Sequence, residues 1–318
     1  MKAHRLAGTK PRPGPVAALL LLCFLWSLGS LRSDLLQNLT LHPLPAMEKQ
    51  AVPFALLSVT AALFALVRRT AWPRGLGLLP PVLVGLGLFV APAVLVSLAK
   101  DWVPELTRVA LFSLVPVFAF VLEPYIGHVM GPRTRGGLPA ALAAVVGTLC
   151  IFPVQIPQSW EAAIAFGGVV LATVCVAAAN CQAVRVVTTT PDRPDAPLAA
   201  IAGATAAVGL AAASALMESP AWGVSALASE LAWSAALELP ALLLLFWLMR
   251  RMSAARMTTR FVLAPFMALV IGATLVQPAL GLRAWLGLLL VAAGIGWLLL
   301  APEVEPDTNS SILKLGST

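Results

Sequence analysis

Two apolar runs near the end of the chain, residues 261–276 and 285–300, leave little choice of fold. Neither has a polar face, so neither fits a surface helix or a soluble strand. Inside lipid, every backbone N–H and C=O must be bonded within the protein. A run of about 20 apolar residues achieves this as a helix crossing a hydrocarbon core about 30 Å thick. A short hinge with Gln277, Pro278 and Arg283 joins the two runs. Pro265 lies inside the first, and Gly287, Gly294 and Gly296 lie in the second.

Eight earlier runs have the same character: residues 16–36, 52–67, 76–99, 106–126, 138–156, 162–184, 197–217 and 226–249. The chain therefore reads as an all-α integral membrane protein of about ten transmembrane helices. Composition agrees, because only 11% of the 318 residues are charged, against roughly a quarter in soluble domains. The run 76–99 holds Pro80, Pro81, Gly85, Gly87 and Pro92, so a bent or locally unwound helix is expected there. The run 197–217 is rich in alanine and glycine, which lets helices approach closely. A basic start followed by an apolar run and Ser27-Leu28-Gly29-Ser30 also resembles a cleavable signal peptide. Its removal would leave nine helices, and we expect it to be retained.

The net charge of +7 does not point to nucleic acid, because the basic residues alternate between loops. Lys2, Arg5, Lys10 and Arg12 precede the first run; Arg68, Arg69 and Arg74 follow the second. Arg133 and Arg135 precede the fifth, and Arg250, Arg251, Arg256 and Arg260 follow the eighth. If each run crosses once, all of these fall on one side. The other side has only Arg32, Lys49, Lys100, Arg108 and Arg283. The positive-inside rule then places both termini in the cytoplasm, with the inner (plasma) membrane as the expected location. Cys23, Cys150, Cys175 and Cys181 all lie in apolar runs without metal-ligand spacing. With His4, His42 and His128 scattered, no metal and no cofactor are expected.

The stretch 107–127 followed by 138–156 has the plan of the last two runs: a helix with an internal proline (Pro116, as Pro265), a turn, then a final helix. The two prolines lie about half a chain apart, which signals an internal repeat. This arrangement resembles the end of each half of an EamA-like transporter of the drug/metabolite transporter superfamily, through helix count and spacing over nearly the whole chain. The resemblance implies two five-helix repeats, residues 1–157 and 158–301, with a polar tail at 302–318. The family often carries a Gly-Glu pair at the turn after the proline helix. Here those turns hold His128-Val129 and Gln277-Pro278, so a role for that glutamate is not carried over. An odd number of helices per half turns the second half over, giving inverted repeats with a substrate site near the midplane.

Candidate site residues concentrate on the eighth run. Glu230, Ser234 and Glu238 recur every four residues, along one helical stripe flanked by Trp233. An ionisable residue at mid-membrane costs about 2.5–3.5 kcal/mol on insertion scales, so Glu238 is a candidate for lining a cavity. It would either exchange a proton or pair with a cationic substrate; a structural hydrogen bond is the alternative. Trp26 and Ser27 would add an aromatic wall and a hydroxyl, or simply pack. Pro116 with Ser113, and Pro265, are candidates for helix bending. Asn180 reads as a gate or a helix cap, and Glu123 as snorkelling or pairing with Arg133 or Arg135.

The expected function is secondary transport of a small metabolite or organic solute by alternating access, with proton coupling left open. No G-x-x-x-x-G-K-[ST] loop supplies an ATP motor, and no H-E-x-x-H or G-x-S-x-G motif is present. Enzymatic activity is not expected. A membrane-embedded enzyme on a lipid-linked substrate, or a non-transporting membrane partner, is the alternative. The expected partners are a small-molecule solute and the lipid bilayer, with no nucleic acid; a homodimer is left open.

Overall fold

The computed structural model describes residues 13–36, 44–127, 133–134, 136–189, 195–219, 223–276, 281–301 and 303–304. Asn38-Leu39-Thr40, which matches an N-glycosylation sequon, the turns at His128-Val129 and Gln277-Pro278, and most of both tails lie outside them, as do the side chains of Arg32 and Asp34. Among the described residues, nine helices are long and apolar enough to cross a membrane, and a tenth is shorter. The protein is an all-α, multi-pass membrane protein.

In chain order the helices are α1 (Pro13–Leu36), α2 (Ala46–Val67), α3 (Gly75–Ala99), α4 (Glu105–Phe112 continued by Val115–Gly127) and α5 (Gly137–Ile151). Then follow α6 (Trp160–Thr189), α7 (Asp195–Met217), α8 (Val224–Met249), α9 (Ala254–Met257 continued by Arg260–Val276) and α10 (Leu282–Leu300). A short antiparallel pair, β1 (Arg133–Thr134) with β2 (Glu303–Val304), ties the approach to α5 to the chain after α10.

Several boundaries differ from expectation: α9 starts at Ala254 rather than 261 and α6 runs to Thr189 rather than 184, and two further differences have a local reason. The first turn of α2 begins at Ala46 rather than Val52. A first-turn amide, Met47 N–H, donates to the Glu218 carboxylate at 3.1–3.3 Å, which satisfies an orphan donor and complements the helix dipole. Helix α5 stops at Ile151 rather than continuing to 156, because Pro153 forces Phe152 into an extended conformation (φ −111°, ψ 96°).

The interruptions have identifiable causes. In α3 the turn Leu86–Val90 is π-helical, with the Ala91 N–H reaching back five residues to Leu86 O. In α8 the turn Ser234–Glu238 is the same, with the Leu239 N–H bonded to Ser234 O. Pro92 and Pro240 lie just beyond these turns. A proline ring clashes with the carbonyl four residues earlier, and a wider turn relieves that clash. The unwinding expected in α3 takes this form; the turn in α8 was not anticipated. Helices α4 and α9 instead break outright, at Ser113-Leu114 and Thr258-Thr259. There the hydroxyls of Ser113, Thr258 and Thr259 bond to carbonyls three residues back.

Small residues set the closest helix contacts. Helix α2 packs along α7, and α5 along α10. A Cβ on Gly203 would lie 3.0 Å from Phe54 O, and one on Gly147 only 2.7 Å from Gly287 O. Helix α6 packs on α3 and α4, α1 on α8 and α9, α3 on α7, and α2 on α8. Large apolar side chains point outward instead: Val208 is 70% exposed and Leu289 66%. That surface is the one a bilayer would cover.

Candidate functional site

The break in α9 places Arg260 at the start of the helix's longer piece, and the guanidinium turns inward rather than into a loop. It is only 2% exposed. Its Nη1 donates to Met257 O (3.1 Å), a carbonyl left without an intrahelical partner at the break. Its Nη2 donates to Asn180 Oδ1 (2.8 Å), and Nε, also buried, has no hydrogen-bond partner. The Asn180 Nδ2 in turn donates to Val176 O (2.7 Å), which fixes the amide with its oxygen toward the arginine. The guanidinium carbon lies 4.6 Å from the Phe261 ring centroid and 5.7 Å from that of Trp26, so two aromatic faces offset part of its desolvation.

Asn180 is therefore not a helix cap. It is fully buried and joins α6 to α9. Trp26 and Ser27 are adjacent in sequence but differ in role. Trp26 stands beside the arginine. The Ser27 hydroxyl is committed to packing, at 2.7 Å from Cys23 O and 2.8 Å from Ala264 O.

The expected stripe on α8 is split by the π-turn, which inserts an extra residue between Ser234 and the following helix. Glu230 (5% exposed) and Ser234 (0%) face inward, Glu238 is half-buried, and Trp233 is 40% exposed. The Ser234 Oγ is buried with no hydrogen-bond partner. The π-turn touches α1 and α2, and α1 also packs on α9, which carries the arginine. Pro116 lies just after the break in α4, whereas Pro265 lies within the continuous piece of α9, five residues beyond Arg260.

Arg260 is the residue that sequence reasoning missed. Adjoining three other arginines, it counted as a loop charge. The signal available was Thr258-Thr259, two β-branched hydroxyl residues able to bond the backbone of a broken helix. A guanidinium within a membrane span costs about 2.5–3.5 kcal/mol on insertion scales, which its partners must offset. Two clefts also indent the described surface. One of about 300 Å³ lies among Trp102, Pro104, Gln155 and Phe166; one of about 160 Å³ lies among Pro73, Pro81, Asp195 and Arg250. Neither is lined by a candidate site residue.

Fold and site together define a multi-pass helical membrane protein with a buried, hydrogen-bonded cation within its helices. No family model matches the chain, and no curated protein matches it. Among solved structures, a crystal structure of another protein superimposes with a TM-score of 0.70 at 18% identity, covering 90% of this chain and 98% of that one. The two share a fold over nearly their whole lengths.

Proposed function

We propose that the chain is a secondary transporter of the EamA-like type, built from two inverted five-helix repeats (residues 1–157 and 158–301) and moving a small organic solute by alternating access. The observation that carries this reading is the matched set of interruptions. Counting five helices on, the π-turn of α3 corresponds to that of α8, and the break in α4 to that in α9. The helix pairings follow the same exchange. The α2–α7 and α5–α10 pairs map onto themselves, α3–α6 onto α8–α1, α4–α6 onto α9–α1, and α3–α7 onto α8–α2. The close contacts of Gly147 with Gly287 and of Gly294 with Ala140 exchange likewise. The prolines that first suggested a repeat fit less well, because the breaks, not Pro116 and Pro265, correspond.

Non-helical backbone at membrane depth is tolerated where it is buried or lines a cavity, and interrupted helices in corresponding positions of two halves mark transporter binding sites. With the basic loops on one side, both termini are cytoplasmic and the protein sits in the inner membrane. Proteoliposomes carrying the full chain provide the test, with labelled amino acids, organic acids, polyamines and organic cations as solutes. A carrier gives saturable uptake that speeds up when the same solute is preloaded inside. Uptake that is linear in concentration and indifferent to preloading for every solute would overturn the reading. Loss of transport in Glu238→Gln places that carboxylate on the solute or proton path; unchanged transport makes it structural.

A further inference from the structure

We propose that Arg260, with Asn180 and the Trp26 ring, forms a binding site for a small organic monocarboxylate. The proposal deepens the carrier reading and rests on it only for how the anion reaches the site. Arg260 and its partners lie on three apolar spans. Trp26 is thirteen residues from the start of α1 (26 − 13), near the middle of its 24 residues. Asn180 is nine residues from the end of α6 (189 − 180), or about 14 Å at 1.5 Å per residue. Arg260 opens the longer piece of α9, six residues beyond the start of the span (260 − 254).

An arginine holds its proton more firmly than any other side chain, so the site carries a positive charge. No carboxylate among the described residues forms an ion pair with it. Its two protein acceptors, a backbone carbonyl and an amide oxygen, are neutral. A guanidinium has five N–H donors in a planar fork, and here the buried Nε lacks an acceptor altogether. A carboxylate supplies what is absent: one negative charge and two oxygens spaced for the fork.

The surroundings narrow the ligand further. One cation matches a monoanion better than a phosphate dianion. The Trp26 and Phe261 faces beside the guanidinium suit an apolar or aromatic body next to the charged group. The residues come from α1, α6 and α9, which belong to both proposed halves, so rocking one half against the other would open the enclosed arginine to solvent.

The test is equilibrium binding to the purified full chain in detergent. Benzoate, phenylacetate and hexanoate are the probes, benzamide is the neutral isostere, and ionic strength is held constant. Thermal stabilisation that saturates with a carboxylate but not with benzamide is expected. Arg260→Met should weaken it by about 10–100-fold, the value of a charge-assisted hydrogen-bonded contact. Arg260→Lys keeps the charge without the fork, should fall between, and serves as the decisive variant if the methionine form does not fold. The site is overturned if none of the three carboxylates saturates, if only inorganic phosphate does, or if the Arg260 variants respond as the parent. Carboxylate binding without accelerated exchange in proteoliposomes keeps the site and overturns the carrier. Exchange of a neutral or cationic solute without carboxylate binding does the reverse.

Discussion

Gly147→Ala tests one of the closest helix contacts among the described residues. A Cβ there would stand 2.7 Å from Gly287 O, 2.7 Å from Val291 N and 2.9 Å from Leu290 Cβ. Two of these are backbone atoms of α10 and cannot swing aside. Restoring ordinary contact requires α5 and α10 to separate by about 0.7 Å, and overpacking of this kind costs about 1–3 kcal/mol. The substitution also gains about 1 kcal/mol of helix propensity, which would mask part of the loss. Gly296→Ala controls for that gain, since nothing lies within 4 Å of a Cβ at Gly296 on the same helix pair. Thermal unfolding of both variants in one detergent should therefore separate them by about 1–3 kcal/mol, with Gly147→Ala the less stable. Adding Gly287→Ala should cost less than the sum of the single effects, because both Cβ atoms strain one contact. A Gly147→Ala protein as stable as Gly296→Ala would refute the close-packed interface.

Two serines give opposite outcomes. Ser27→Ala removes a hydroxyl bonded to Ala264 O across α1 and α9, so unfolding should show a loss of about 0.5–1.5 kcal/mol, while carboxylate affinity stays unchanged. Ser234→Ala deletes a buried oxygen without a partner, so the same measurement should show no loss or a gain of up to about 1 kcal/mol. A clear destabilisation by Ser234→Ala would mean that the hydroxyl is bonded in the folded protein.

Hydrophobic run length made nearly all of the helices legible, because in lipid an unbonded backbone has no alternative to the helix. Their ends were less legible. The first turn of α2 depends on Glu218, which is 171 residues from Met47, and no local pattern encodes that pairing. The placement of individual side chains was less legible for the same reason. Glu238, Ser234 and Glu230 stood out by four-residue spacing, but spacing assumes a uniform helix, and the π-turn breaks that assumption. Arg260 sits at the edge of an apolar run, where hydropathy cannot tell a side chain extending to water from one folded inward. Partners such as Asn180, 80 residues away, and the Trp26 ring make the inward choice favourable. Trp26 was legible as an aromatic near mid-span, though its neighbour was not.

The two π-turns also bear on which changes of chain length the protein can absorb. A π-turn is an α-helix carrying one surplus residue. Deleting a single residue elsewhere in a helix rotates everything beyond it by about 100°, turning its buried face toward lipid. Deleting one residue between Ser234 and Glu238 would instead restore regular winding and leave Leu242, Leu245 and Met249 on the face they now bury. The same holds between Leu86 and Val90 in α3. These are the positions in the two helices where loss of a codon changes the local shape of the wall and spares the packing around it.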